Sequence, residues 1–306
     1  MRVAITFPGQ GTQAPGMGAP WLDSNSWKIL EHAAEALNED LAELVLHADA
    51  DALARTRSAQ LAVLLTSLMA WDAAEATIRR NHQIVAFAGH SLGQVTALIA
   101  SGAVSLIDGV RFAARRAELT QAEADRNEGR MAALLGVTPE QATLACDAAP
   151  NSAWVANDNA PGQVVIAGTA TGIETAIARA KELGAKRAMH LPVDGAFHTP
   201  LMGGAVAGLA EALTLISFAE PSAPVVSNAD ARAYSDGIGW QKRLATHPVS
   251  AVRWRECMLS LCSRPLNAEI FFEIGHGAMI AGVAKRTVDT VRVVSVAGQS
   301  DIEAIE

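Results

Sequence analysis

The stretch AGHSLGQ, Ala88 to Gln94, sets a serine between two glycines. A G-x-S-x-G run between a strand and a helix is the arrangement of a nucleophile elbow, in which small neighbours let the chain reverse sharply and expose the serine Oγ. The apolar run IVAF stands before it and the helix-like VTALIASG after it, so Ser91 has the required context on both sides. Backbone amides and a helix N-terminus at such a turn also favour the negative oxygen of a tetrahedral intermediate. A serine so placed needs a base, and the chain has eight histidines. His90 adjoins Ser91 but leaves the elbow in another direction and reads as a packing residue. His198, in VDGAFHTPLM, follows a strand and a glycine turn from which a side chain can enter a cleft. A serine hydrolase of the α/β type would add an acid between serine and histidine in chain order. Asp194, four residues before His198, is too close for that duty. A backbone carbonyl is the other group able to orient an imidazole.

These residues must be held by an α/β layer fold. The segments VAIT and IVAFA are strand-like, each followed by a glycine-rich turn, with helical segments between them, which predicts a mostly parallel sheet. The run SLIDGVRFAARRAELTQAEAD reads as a helix. Residues 128–194 have another rhythm: strand RMAALLGV, helix TPEQATLACDAA, a hairpin of AWVAN and QVVIAG around DNAPG, helix TATGIETAIARAKELG and strand AKRAMHLPV. The order β-α-β-β-α-β is that of a ferredoxin-like unit. It is expected as a small domain inserted into a large α/β-hydrolase-like one made of residues 1–127 and 195–306. After it, VVSNADA reads as a strand, EIFFEIGHGAMIAGVAKR as strand, turn and helix, and VRVVSV as a closing strand.

Composition narrows the class. The 32 acidic residues outnumber 24 basic ones, giving a formal charge of -8, which argues against a nucleic-acid binder with a broad basic face. Three cysteines without paired spacing point to neither a disulfide framework nor a zinc site and fit a reducing cytoplasm. The apolar run Leu61 to Trp71 is shorter than the ~20 residues of a membrane span and reads as a core helix.

Five motifs go further than generic chemistry: FPGQGTQAPGMG at 7–18, GHSLGQ at 89–94, an arginine 25 residues after the serine, NAPGQVVIAG at 159–168 and GAFHTPLM at 195–202. In this order the chain resembles the malonyl-CoA:acyl carrier protein transacylases, which also include the acyltransferase domains of fatty acid and polyketide synthases. The resemblance runs from Val3 to about Arg286. It implies malonyl-CoA as substrate with no permanently bound cofactor, an acyl carrier protein as partner, and a cytoplasmic enzyme that serves fatty acid or polyketide synthesis. A trans-acting polyketide synthase or malonate decarboxylase acyltransferase, or a serine hydrolase or thioesterase, is the alternative.

The resemblance also implies roles. Ser91 is the nucleophile and His198 its base; Gln10 and Leu92 give the oxyanion amides; Arg116 meets the malonate carboxylate; and Leu92 and Phe197 are of the malonyl-selecting kind. On a helix Arg116 aligns with Phe112 and Leu119, an apolar strip, whereas Arg115 aligns with Arg111 and Glu118. The loop that holds the histidine through a carbonyl corresponds to HPVSAVRW, where Trp254 anchors Arg253 to the position and Pro248 and Val249 anchor Ser250. Gln94 stands where the family often has glutamate. Lys181, Lys186, Arg187, Lys285 and Arg286 are candidates for a basic patch that docks an acidic carrier protein.

Overall fold

Apolar runs at the two ends of the chain assemble into one sheet, and those in the middle into a second. A computed structural model describes residues 1–193 and 195–305; Asp194 lies outside the described residues. Ten strands occur among them: β1 (Arg2–Phe7), β2 (Gln83–Gly89), β3 (Gly129–Leu135), β4 (Ala153–Ala160), β5 (Gln163–Thr169), β6 (Arg187–His190), β7 (Val225–Val226), β8 (Ala233–Tyr234), β9 (Ile270–Ile274) and β10 (Arg292–Val296). The larger sheet has the order β10-β9-β1-β2-β7-β8 and is parallel except for the β7–β8 pair.

The apolar continuity of β1 and β9 follows from burial on both faces. Val3, Ile5 and Phe7 point into one cluster with Phe272 and Ile274, while Ala4 and Phe271 point into another on the opposite face. The first cluster is filled by the helix Thr56–Asn81, whose residues Ala59–Trp71 are buried on every side. That helix is long and apolar enough to cross a membrane by length and composition, yet 72% of its most apolar window is buried inside the protein. The opposite face is covered by the helices Trp254–Cys262 and Met279–Thr287.

The smaller sheet has the order β4-β5-β3-β6, antiparallel throughout. Thr138 caps the helix Pro139–Cys146 reciprocally with Gln141, and Thr169 caps the helix Ala170–Glu182. Strand pleating divides β3 between two tasks. Ala132 and Leu134 pack under these helices, whereas Met131 and Ala133 face Phe197 and Met202 and roof the cleft between the two sheets.

Some boundaries differ from expectation. The hairpin turns at Pro161–Gly162 alone, because β4 runs on through Asp158 to Ala160. VVSNADA is strand only at Val225–Val226, since Asn228 donates its N–H to Gln94 Oε1 at 2.6 Å, outside the ladder. Ala231 then turns the chain at φ 56°.

Candidate active site

Ser91 sits where β2 ends and the helix Gly93–Ala100 begins, at φ 52°. The flanking glycines are demanded by contact: a Cβ on Gly89 would lie 1.9 Å from Gly93 O, and one on Gly93 would lie 2.3 Å from Phe7 O at the end of β1. Strand, turn and helix therefore pack closer than any side chain permits, and the serine hydroxyl is thrown outward.

The hydroxyl meets His198 Nε2 at 2.8 Å. His198 is also left-handed, at φ 63°, and is 5% exposed. Its Nδ1 faces two carbonyls, His247 O at 3.1 Å and Ser250 O at 3.0 Å. Carbonyls only accept, so Nδ1 carries the proton and Nε2 is left as the acceptor that a general base requires. Burial foremost, and then the charge of Arg116, push the imidazole pKa down to about 3, against the opposing pull of the two carbonyls. The ring is neutral at physiological pH.

Arg116 projects from the helix Leu106–Arg126, which Ser105 caps through Asp108 N. It is 4% exposed, whereas Arg115, one position away, is half exposed and pairs with Glu118. Its Nη1 donates to Gln60 Oε1 at 2.5 Å and its Nη2 to Ser91 Oγ at 3.3 Å, while Nε has no partner among the described residues. Burial lowers its pKa to about 10, with no carboxylate among the described residues opposing the shift. A buried guanidinium with no anion beside it among the described residues is a costly arrangement that a bound carboxylate would relieve.

Gln10, Leu92, Phe197 and these three residues line one cleft of about 170 Å³, together with Gln60, His90, Asn159 and Met279. Leu92 is fully buried and Phe197 8% exposed. His90 does not join the dyad: its Nε2 meets Asn159 Oδ1 at 2.9 Å and its ring stands edge-on to Trp254.

Arg253 corrects the expectation placed on it. Its guanidinium pairs with Glu256 outside the cleft, and the side chain is 43% exposed. The segment before Trp254 is drawn onto β4, where Val252 N bonds Ala156 O and Asp158 N bonds Val252 O, both at 2.9 Å. The carbonyls that reach His198 consequently belong to Ser250 and His247. Among the described residues no carboxylate contacts Nδ1, so the acid that a hydrolase triad would supply is replaced by backbone.

Gln60, Asn159, His247 and Asn228 escaped sequence reasoning. His247 is 1% exposed and its ring lies 5.1 Å from that of His198, with neither nitrogen hydrogen-bonded among the described residues. Asn228 Oδ1 accepts from Ser91 N at 2.8 Å. Each acts through a partner more than 45 residues away, a separation no local motif reveals.

Comparison with known proteins agrees in extent. The family model described as acyl transferase domain matches residues 5–304. A malonyl CoA-acyl carrier protein transacylase of Bacillus subtilis is 36% identical over 311 aligned positions, covering 100% of this chain and 95% of that protein. A crystal structure of an acyl carrier protein S-malonyltransferase from Vibrio cholerae superposes with a TM-score of 0.92 at 34% identity, with 100% of both chains covered. A malonyl-transacylase solved in complex with a type II polyketide synthase acyl-carrier protein superposes with a TM-score of 0.92 at 30% identity, over 100% of this chain and 99% of that one. A match of this length around a serine, a histidine and a buried arginine makes the chain an acyltransferase and a member of the acyl transferase domain family.

Proposed function

We propose that the protein is a cytoplasmic malonyl-CoA:acyl carrier protein S-malonyltransferase. The observation that carries this reading is Arg116: a buried cation with no carboxylate partner among the described residues, 3.3 Å from the nucleophile, suits an acyl group that bears its own free carboxylate. A fork-shaped guanidinium takes a carboxylate in two parallel bonds.

In the reaction, His198 Nε2 accepts the Ser91 proton as Oγ attacks the thioester carbonyl. The tetrahedral oxyanion is received by the backbone amides of Gln10 and Leu92. The intermediate collapses to a malonyl ester, and His198 returns the proton to the departing coenzyme A sulfur. The thiol of a carrier protein's phosphopantetheine arm then gives its proton to His198 and attacks the ester, and Ser91 leaves with that proton. Phe197 narrows the cleft beside the acyl carbon that would carry a branch. No resident cofactor takes part in these steps.

The large unit, residues 1–127 and 195–306, is read as α/β-hydrolase-like, and residues 128–194 as an inserted ferredoxin-like domain. The antiparallel order β4-β5-β3-β6, with both helices packed on one face, supports the second assignment.

The carrier protein is assigned to the end of the small sheet where the hairpin turns. There Lys186 N bonds Leu135 O, Gly136 N bonds Gly162 O, and the Arg286 guanidinium reaches Gln163 across the hairpin. Lys181, Lys186, Arg187, Lys285 and Arg286 are all exposed. Lys285 and Arg286 end the helix whose first residue, Met279, lines the cleft, which sets the patch about 10 Å from the site at ~1.5 Å per residue.

The test is to mix the protein with malonyl-CoA and weigh it intact. A malonyl adduct lost in Ser91→Ala, and passed to an added acyl carrier protein, is expected. No adduct, or release as free malonate alone, overturns the reading.

A further inference from the structure

We infer that Asn228 is a positioning residue that joins the two halves of the dyad, with Gln94 as its brace. The inference rests on the serine-ester reading above and deepens it.

Asn228 is fully buried and belongs to neither the elbow nor the histidine loop. Its side chain spans the elbow: Oδ1 accepts from Ser91 N at 2.8 Å, and Nδ2 donates to Gly89 O at 2.9 Å. One of these backbone groups is a donor and the other an acceptor. A primary amide satisfies both at once, a carboxylate only the first, and an alkyl group neither. The backbone at φ 52° is sparsely populated for a serine, so something outside the turn must hold it. Asn228 does so at the residues on either side of the bend.

The main chain of Asn228 is engaged in the opposite direction. Its carbonyl accepts from Arg253 N at 3.0 Å, at the end of the segment whose Ser250 and His247 carbonyls orient His198. One residue is therefore tied to the nucleophile through its side chain and to the loop behind the base through its backbone. The Ser91 Oγ to His198 Nε2 separation of 2.8 Å is set across this tie. Gln94, on the first turn of the helix after the elbow, completes it by accepting the Asn228 N–H at 2.6 Å, and is itself 1% exposed. This gives the residue that departs from the family's usual glutamate a role: an amide oxygen accepts as a carboxylate would, without burying a charge beneath the nucleophile.

The measurement is the pre-steady-state release of coenzyme A from malonyl-CoA with no carrier protein present. Its amplitude counts competent sites and its rate reports serine acylation. Asn228→Asp keeps the acceptor for Ser91 N but sets an oxygen against Gly89 O. The expected result is a burst rate lower by roughly 100-fold, the loss typical of a displacement near 1 Å. The amplitude should stay at one per protein and the KM for malonyl-CoA should hold, because Arg116 and the cleft are untouched. Gln94→Leu should slow the burst in the same way, and Gln94→Glu should recover the rate lost in Gln94→Leu. A lower amplitude at an unchanged rate means that Asn228 serves folding alone, and overturns the inference. So does a rate close to that of the parent protein. If Asn228→Asp does not fold, the two Gln94 variants decide by the same readings. Absence of any burst in the parent protein overturns the serine-ester reading itself, and this inference with it.

Discussion

Arg116 Nη2 donates to Ser91 Oγ at 3.3 Å, so the guanidinium proposed to meet the substrate also touches the proposed nucleophile. In the proposed role of Arg116, a malonyl carboxylate would compete for the same N–H and free the serine lone pair for attack. Replacing Arg116 by alanine removes a charge-assisted contact of about 1.5–3 kcal/mol, or roughly 10- to 150-fold in malonyl loading. Acetyl loading, which never used that contact, should rise relative to malonyl. Competition between malonyl-CoA and acetyl-CoA, read as adduct masses, checks both. Unchanged malonyl loading would assign the carboxylate to another residue.

The low pKa of His198 predicts an unusual acid limb. An ordinary histidine protonates near 6.5, whereas this one, pushed down to about 3, still accepts a proton well below that. The kcat/KM for malonyl-CoA should cross pH 6.5 without an inflection and fall only as the pH approaches the folded value. An inflection near 6.5 would mean that the imidazole is better solvated than its burial implies.

Stability should follow the same groups with a definite sign. His198 and His247 are both depressed in the fold, burial being the main cause, and the charge of His198 lowers His247 further. The unfolded chain binds protons at both near pH 6.5, where the folded one binds none. Stability is therefore full above that value and is lost as the pH falls toward 3. Thermal melts from pH 7.5 to 4.5 should show a falling midpoint, and His247→Asn should shallow the slope by removing one of the two groups. Equal slopes would exclude His247 as a source of the loss.

Phe197 forms part of the cleft wall beneath Met131 and Ala133 of the small sheet. Trimming it to serine opens room for a methyl branch. Discrimination between acyl groups that differ by one methyl is worth about 1–3 kcal/mol, so methylmalonyl loading should rise relative to malonyl by roughly 10-fold or more. The ratio of the two adducts after short incubation measures it. A ratio equal to that of the parent protein removes Phe197 from selection.

The basic end of the small sheet should govern the second half of the reaction. Lys186→Glu with Arg286→Glu should lower kcat/KM for the carrier protein by about 10-fold at low salt, with the gap narrowing as ions screen the patch. Serine loading from malonyl-CoA should fall much less. If both half-reactions fall together, the patch serves coenzyme A as well as the carrier.

What could be read from the sequence was whatever is written contiguously. The elbow is such a case, because Gly89, Ser91 and Gly93 meet each other within one turn. The arginine 25 residues after the serine is another: the resemblance pointed to Arg116, and helical periodicity, which sets it on an apolar strip away from Arg115, agreed. The brace on the elbow was illegible: Gln94 stood out only as a departure from the family's usual glutamate, Asn228 looks like an ordinary polar residue, and the two lie 134 residues apart. Arg253 was aligned through its neighbour Trp254, but the pull of Val252 onto β4 displaces the histidine-facing carbonyl to Ser250. VVSNADA carries strand-forming residues, yet the main-chain N–H of Asn228 is spent on a side chain and the strand stops at Val226.

Ser91 and His198 share a left-handed backbone, at φ 52° and 63°. A side chain in that region costs about 1–2 kcal/mol that a glycine would not incur. At Ser91 a glycine would relieve that cost and remove the hydroxyl, whereas at His198 it would also empty the volume of a buried ring and leave two carbonyls without their donor, so stability would fall there. Laboratory evolution that rewards heat resistance alone would therefore be drawn to Ser91, the proposed nucleophile, so such a screen has to score acyl transfer in every round.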